Sequence, residues 1–482
     1  MIVRNSMRRL KSTFAAVIVL GGMTAAADAV TLKEAIAIAT QSNPEIGQAI
    51  ENREAIEFEL RQARGLYLPT IDLEASAGVR RLDTPNRRLD GVSDDSLSGV
   101  EAGVVVTQKL FDFGARRAEV DRQAARVDGA SLRVLERSEY VALAVVQDYL
   151  EALLQSAILR AAQDNEGFHQ SILGDIRESV DGGVLTDADR QQGEERLFAA
   201  RTRTLEAKEE FEAARIRFFK TLGVPLTGAS RPSSVASALP ATLDEALRLA
   251  RTNNPRVRAT IADVDAAHAM VDSARAAMGP EVLAEGRGRI GHDVDGQDGR
   301  TADLQARLVM RWNLYRGGID TAREQEQIRR ASEQRLVLHQ VHRDLEETVR
   351  LSWDRRFRQA ELAGALRKQA TASDRLVASY REQFQVGQRS LLDVLSAQNA
   401  RFNAAVLADS ASYASLFAEY RLLAATGRLL STMGVTPAGQ SEAYARNEFD
   451  VPPTPATETF ARVPSRQTGD LPFDLLAPIR KE

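Results

Sequence analysis

His339 and His342, three residues apart in a helical stretch, come nearest in this 482-residue chain to a transition-metal site, and they lack an evident third ligand. Gly286-Arg-Gly-Arg-Ile-Gly291 spells GxGxxG. A dinucleotide site needs a strand before that motif and a helix after it. Here the glycines lie inside a strand-like alternation that runs into a loop. Asp293, Asp295 and Asp298 offer carboxylates to a divalent ion without the spacing of an EF-hand, so ion binding by the 291–302 loop stays open. There is no cysteine, which removes thiolate catalysis, disulfides and cysteine-based metal sites together. No Ser/His/Asp set or carboxylate pair has a catalytic context. The expectation is a protein without cofactor, metal or enzymatic activity. The other suggestive side chains follow glycines: Asp189 after Gly183, and Arg389 and Asp393 after Gly387. An arginine fork can hold a carboxylate by paired hydrogen bonds, so these side chains are noted for what neighbouring elements bring to them.

The glycines acquire meaning from the elements they interrupt. From about Ala115 to Val180, and again from Ile319 to Gln385, the pattern is helical and proline-free. At ~1.5 Å per residue each run reaches roughly 100 Å, beyond any globular domain. Val120, Ala124, Val127, Val134, Val141 and Val145 keep a heptad spacing, with Ser131 and Ser138 in the gaps, and Leu143, Val146, Leu150, Leu153 and Ala157 form a second seam. Two seams suit a helix with neighbours on both sides, although an ordinary two-stranded coiled coil would also show heptads. Gly182-Gly183 and Gly387 end these runs, and further helices return to about Leu222 and Met433.

The chain contains its own copy. Thr31–Pro44 and Thr242–Pro255 share seven of 14 positions at an offset of 211. Leu110-Phe111 and Gly114 correspond to Leu314-Tyr315 and Gly318 at an offset of 204, and Leu222-Gly-Val224 to Met433-Gly-Val435 at 211 again. This order reads as two structural repeats, residues 30–240 and 241–435. Each begins with a short helix ended by Asn-Pro and a second helix. Each then changes to period two, with strands predicted at about 71–81 and 98–112 in the first repeat and 281–291 and 303–315 in the second. Ile71, Leu73, Ala75, Ala77 and Val79 alternate with polar residues or glycine, as do Leu304, Ala306, Leu308 and Met310 with mostly polar ones. A polar turn is predicted at Leu82–Leu97. Residues 436–482, rich in Pro, Ser and Thr, read as an extended or disordered tail.

Residues 1–29 read as a secretory signal peptide. Arg4, Arg8, Arg9 and Lys11 precede the apolar Thr13–Leu20 and small residues before Val30, with cleavage expected after Ala27 or Ala29. No later window supplies a nearly charge-free run for a membrane helix; Val141–Leu159 contains Gln147, Asp148, Glu151 and Gln155. A net charge of −4 gives no basic field, so nucleic acid is not an expected partner.

An exported chain with amphipathic strands can enter a membrane as a barrel. Four strands cannot close, and open edges in lipid leave backbone groups unpaired. Two chains would give eight strands, whose interior side chains fill; three give 12 and an aqueous lumen. Tyr67, Phe111, Phe113, Trp312 and Tyr315 lie at the helix-side ends of the strands, where an interfacial girdle would sit.

The doubled Asn-Pro unit, the corner Leu110-Phe-Asp-Phe-Gly114 and the stretch Tyr380-Arg-Glu-Gln-Phe-Gln-Val-Gly-Gln-Arg-Ser-Leu-Leu-Asp-Val-Leu-Ser-Ala-Gln-Asn399 resemble the TolC family of outer-membrane factors over about residues 31–435. The resemblance implies a mainly α fold with a membrane β-barrel: a long α-helical barrel plus four strands per chain, completed as a 12-stranded barrel in a homotrimer. It implies an outer-membrane location with a large periplasmic extension. The implied partners are outer-membrane lipid, a periplasmic adaptor (membrane fusion) protein and an inner-membrane ABC or proton-driven transporter. Type I protein secretion is the favoured function, with multidrug efflux as the alternative and a periplasmic coiled-coil adaptor or scaffold as the rival of another class. By the same resemblance the periplasmic tip is gated. Gly387, Arg389 and Asp393 match the family's glycine, link arginine and ring aspartate, and Asp189 matches the link's carboxylate partner. Phe384 stands where a link tyrosine is found, and Ser396 replaces a second ring aspartate.

Overall fold

In the computed structural model, residues 30–294 and 299–454 are described; the expected signal peptide, Asp295, Asp298 and the end of the tail lie outside them. Two helices of 67 residues dominate, α4 (Ala115–Asp181) and α8 (Ile319–Gln385), each returned by a partner, α5 (Asp187–Leu222) and α9 (Leu391–Ala425). Short helices α1 (Leu32–Ser42) and α2 (Pro44–Gly65) precede the first long helix, and α6 (Leu243–Asn253) and α7 (Pro255–Ala276) precede the second. The α1–α2 and α6–α7 breaks are built alike. Asn43 and Asn254 leave helical geometry and cap the next helix, whose first residue is a proline with no amide proton to satisfy.

Four antiparallel strands complete the chain: β1 (Thr70–Arg81), β2 (Ser96–Phe111), β3 (Glu281–His292) and β4 (Arg300–Arg311), in that order across one sheet. The change of repeat offset from 211 to 204 has a simple origin: residues 82–95 separate β1 from β2, while residues 293–299 separate β3 from β4. The first connection is not a plain turn, because it holds a short helix, α3 (Pro85–Leu89). The last strand ends at Arg311 and not at 315. Its partner β3 starts at Glu281, which pairs with Arg311, and the residue before it, Pro280, has no amide proton with which to extend the ladder.

The core is a set of layers along α4. Val120, Ala124, Val127, Val134, Val141 and Val145 are all buried, as are Ser131 and Ser138; of the second seam Val146, Leu150 and Leu153 are buried and Leu143 and Ala157 half-buried. The stretch of α4 around Val141–Leu159 is long and apolar enough to cross a membrane by composition. Its apolar residues are instead claimed by the protein: Val145, Val146 and Tyr149 are fully buried in a cluster with Ile36, Phe218 and Leu423. Helix α9 stops at Thr426 and resumes as α10 (Leu429–Met433), earlier than a continuous return helix would. At the break Gly427 has φ 67°, and a Cβ there would lie 2.8 Å from the Asn253 carbonyl. Only glycine permits that approach.

The expected tail begins as folded structure. Residues 436–454 lie against α4 and include a short helix, α11 (Ala445–Glu448). Arg446 bridges buried Asp128 on α4 (2.9 Å) and buried Asp265 on α7 (2.7 Å), and the Ala445 and Thr454 amides donate to the same two carboxylates. A proline-rich composition missed this because long-range polar contacts, and no helical periodicity, hold the segment.

Candidate functional site

The sheet separates its faces along most of its length, with Val105, Leu283 and Val309 on the charged side as exceptions. Register places Ile71 beside Val106, Leu73 beside Val104, Val104 beside Gly288, and Gly288 beside Leu304. These residues share one face, and it is bare: Leu73, Leu304 and Leu308 are 77, 90 and 73% exposed. An apolar face this exposed needs a non-aqueous surrounding or a partner. The other face carries charge. Arg307 (2.7 Å) and Arg311 (3.0 Å) converge on Glu285, Arg289 meets Glu101 (3.2 Å), and Lys109 meets Glu281 (3.2 Å). Edge strands β1 and β4 each have one side without a partner in the sheet. Tyr67, Phe111, Phe113, Trp312 and Tyr315 are all exposed where strands meet helices. Arg116 lies over the Tyr67 ring, and the Trp312 indole donates to the Met278 carbonyl.

At the opposite end both hairpins turn on a glycine in left-handed geometry, Gly183 (φ 73°) and Gly387 (φ 74°). Below the turns, Ile172, Ile176, Leu391, Val394 and Leu395 form a buried cluster, and Phe384 packs against it with Tyr380. Asp189 and Asp393 occupy equivalent places, three residues past the caps Thr186 and Ser390, and each accepts from its cap hydroxyl (2.7 and 2.9 Å). The Thr186 hydroxyl and amide hold the Asp189 carboxyl below the usual aspartate range.

Arg389 and Asp189 are not brought together within the chain. Arg389 Nε donates to Gln383 Oε1 (3.0 Å), its guanidinium lies 4.3 Å from the centre of the Tyr380 ring, and Nη1 is 3.8 Å from Asp393. Sequence reasoning missed Tyr380 and Gln383. Their signal was their position in the last turns of α8, where Arg389 can fold back on them.

Two further polar groups were missed. Glu139 on α4 is buried and accepts from the Leu430 amide (3.3 Å), and burial pushes its carboxyl up to about 7. Nearer the tip, buried Gln398 donates to buried Asn165 (2.9 Å), forming a polar layer beside His169 between apolar clusters. Among the described residues no group of three or more His, Asp or Glu could hold a metal.

A sheet with one lipid-compatible face, carried on shafts of roughly 100 Å, is the build of a membrane channel subunit. The profile of the outer membrane efflux protein family matches residues 35–224 and 246–428, and the chain belongs to that family. It is an outer-membrane protein with a long periplasmic helical extension, of a family of channels and not of enzymes. It is similar to the outer membrane efflux protein BepC of Brucella suis, 25% identical over 428 residues, covering 87% of this chain and 91% of that protein. It is also similar to the proteases secretion protein PrtF of Dickeya chrysanthemi, 22% identical over 412 residues, covering 83 and 88%. The fold matches the Campylobacter jejuni CmeC outer membrane channel with a TM-score of 0.73 at 14% identity, covering 87% of this chain and 89% of that one.

Proposed function

We propose that three copies of this chain close a 12-stranded barrel and a continuous helical duct, through which an inner-membrane transporter and its periplasmic adaptor export protein. The observation that carries the reading is the four-stranded sheet with one exposed apolar face, one charged face and two free edges. Such a sheet is satisfied in lipid only when its edges pair with other copies. Type I protein secretion is favoured by the likeness to a protein named for protease secretion along most of both chains. Small-molecule efflux is the second reading, favoured by the likeness to BepC. In either case Arg389, Asp189, Asp393 and Phe384 would form the periplasmic gate, at turns hinged on Gly183 and Gly387.

Deleting the gene and comparing the secreted proteins with the drug tolerance of the strain separates the two. Loss of one or a few large exported proteins with unchanged drug tolerance is expected. Unchanged secretion with raised drug sensitivity would replace secretion by efflux.

A further inference from the structure

The sheets of the two repeats meet inside the chain where β2 pairs with β3. In a closed ring of copies the second repeat also meets the first repeat of the next copy, with β4 against β1. The seam inside the chain is therefore a template for the seam between chains. At the end of the sheet next to the shafts the repeats can be equated residue by residue. Gly114 and Gly318, with φ 96° and 83°, each precede a helix of 67 residues. The Gln108 side chain donates to the Tyr67 carbonyl (3.1 Å), and the Trp312 indole donates to the Met278 carbonyl (3.0 Å). Asp112 meets Arg116 (2.8 Å) and Arg316 meets Asp320 (3.7 Å), the same pair with its charges exchanged. By the offsets of 204 and 211, Phe113 then corresponds to Gly317, and Gly279 to Leu68.

Inside the chain Phe113 is the knob and Gly279 the hole. A Cβ built on Gly279 would overlap the Phe113 side chain. Phe113 holds φ 54° to make this contact, a left-handed geometry that a Cβ resists, and Gly317 holds nearly the same φ, 62°. At the outer edges the sizes are reversed. A Cβ built on Gly317 would meet nothing within 4 Å, while Leu68 is 67% exposed. The strand ends repeat the pattern. β2 runs past Thr107, its last partner on β1, because β3 receives it as far as Phe111, which pairs with Val282. Tyr315 corresponds to Phe111 and Ile71 to Val282, and both are exposed, at opposite edges of the sheet.

We infer that Leu68 of one copy seats on Gly317 of the next, filling the place that Phe113 fills on Gly279 within the chain. The partner is a second copy of this chain, and the inference rests on the barrel reading above. Both knobs, Leu68 and Phe113, belong to the first repeat, and both holes, Gly279 and Gly317, to the second. Two first repeats side by side would set Phe113 against Leu68, and two large side chains cannot share one close-packed site. Two second repeats would set Gly317 against Gly279 and leave a void. The repeats are thereby made to alternate around the ring, so copies join only head to tail, the arrangement that closes a cyclic assembly.

An exchange of knob and hole tests the seating in the full-length protein, extracted from the outer membrane and followed as heat-resistant oligomer on denaturing gels. Gly317→Phe should set two large side chains against each other and lose most of the oligomer. Leu68→Gly should leave a void and speed the loss of oligomer on heating several-fold. The two changes together rebuild the pair found inside the chain, in a backbone geometry that Phe113 already tolerates, and should restore the oligomer to near the wild-type level. Leu68 precedes β1 and Gly317 follows β4, at opposite edges of one sheet, so recovery arises only between copies. Wild-type behaviour of Gly317→Phe or of Leu68→Gly, or a double variant no better than Gly317→Phe, overturns the seating. Light scattering of the unmodified protein tells this failure from that of the barrel reading. With a mass of three chains the barrel stands and only the seating falls; with any other mass both fall.

Discussion

Arg389 is held by its own chain before any neighbour is added. The Tyr380 ring, the Gln383 amide and the Asp393 carboxylate surround it, so a link to another hairpin must compete with these contacts. One exposed arginine–carboxylate link is worth about 0.2–1 kcal/mol, and a ring of such links would form a latch that a docking partner can overcome. Arg389→Ser should therefore raise single-channel conductance in planar bilayers, and a wild-type value would place the constriction elsewhere. Phe384 and Arg389 drew notice because they fall in a distinctive stretch beside Gly387. The tyrosine that receives the arginine was not, since spacing alone does not say that a side chain folds back one turn. Glu139 was equally invisible, because its partner, the Leu430 amide, is 291 residues away. Its carboxyl is raised from 4.5 to about 7 by burial, so the folded protein binds a proton that the unfolded chain releases above about pH 4.5. Its contribution to stability is intact at low pH and is lost as pH rises to about 7, by roughly 3 kcal/mol in total. In thermal melts Glu139→Gln should gain on the wild type steadily between those two values and show no further gain above them. A difference independent of pH would mean that Glu139 titrates normally.

Among the elements, the strands were the most legible and the C-terminal segment the least. Period-two alternation fixed which residues of β4 share a face, because a slip by one residue would exchange the two faces. The structure puts Leu308 on the bare apolar face and Arg307 on the charged face with Glu285. A cationic residue at mid-membrane on the lipid side costs about 2–4 kcal/mol. Leu308→Arg should therefore reduce the yield of folded, heat-resistant oligomer far more than Arg307→Leu, which gives up an ion pair on the wet side. Equal yields would invalidate the facing of β4. Residues 436–454 have no such periodicity. They are ordered by Arg446 between Asp128 and Asp265, partners 318 and 181 residues distant, and by burial of Ala445 with Leu60, Val120 and Val127. Removing one partner of a buried charge pair typically costs about 3–5 kcal/mol. This places the segment among the elements that tie α4 to α7, since Asp128 belongs to the first and Asp265 to the second.

At the scale of the whole molecule, one chain is incomplete in two places, and the same remedy serves both. In the sheet, β1 and β4 present free backbone donors and acceptors along their outer edges, and each unpaired group in lipid costs several kcal/mol. In the shafts, Phe198, Leu205 and Phe219 on α5 and Leu336, Leu351 and Phe357 on α8 are large, apolar and exposed. Those on α5 fall at multiples of seven residues, the spacing of a seam awaiting another helix. A closed ring of chains pairs the edges and covers the shafts at once. A dimer would close eight strands around an interior that side chains fill, with no route for cargo, whereas a trimer gives 12 and an open bore. Protein extracted from the outer membrane in mild detergent should therefore have, by multi-angle light scattering corrected for bound detergent, the mass of three mature chains. Because edge and shaft depend on the same ring, Leu308→Arg should lower the trimer fraction without leaving a stable monomer. A monomer that stays folded in lipid, with the native strand signal by circular dichroism, would show that the edges are satisfied within the chain and would remove the basis for a shared barrel.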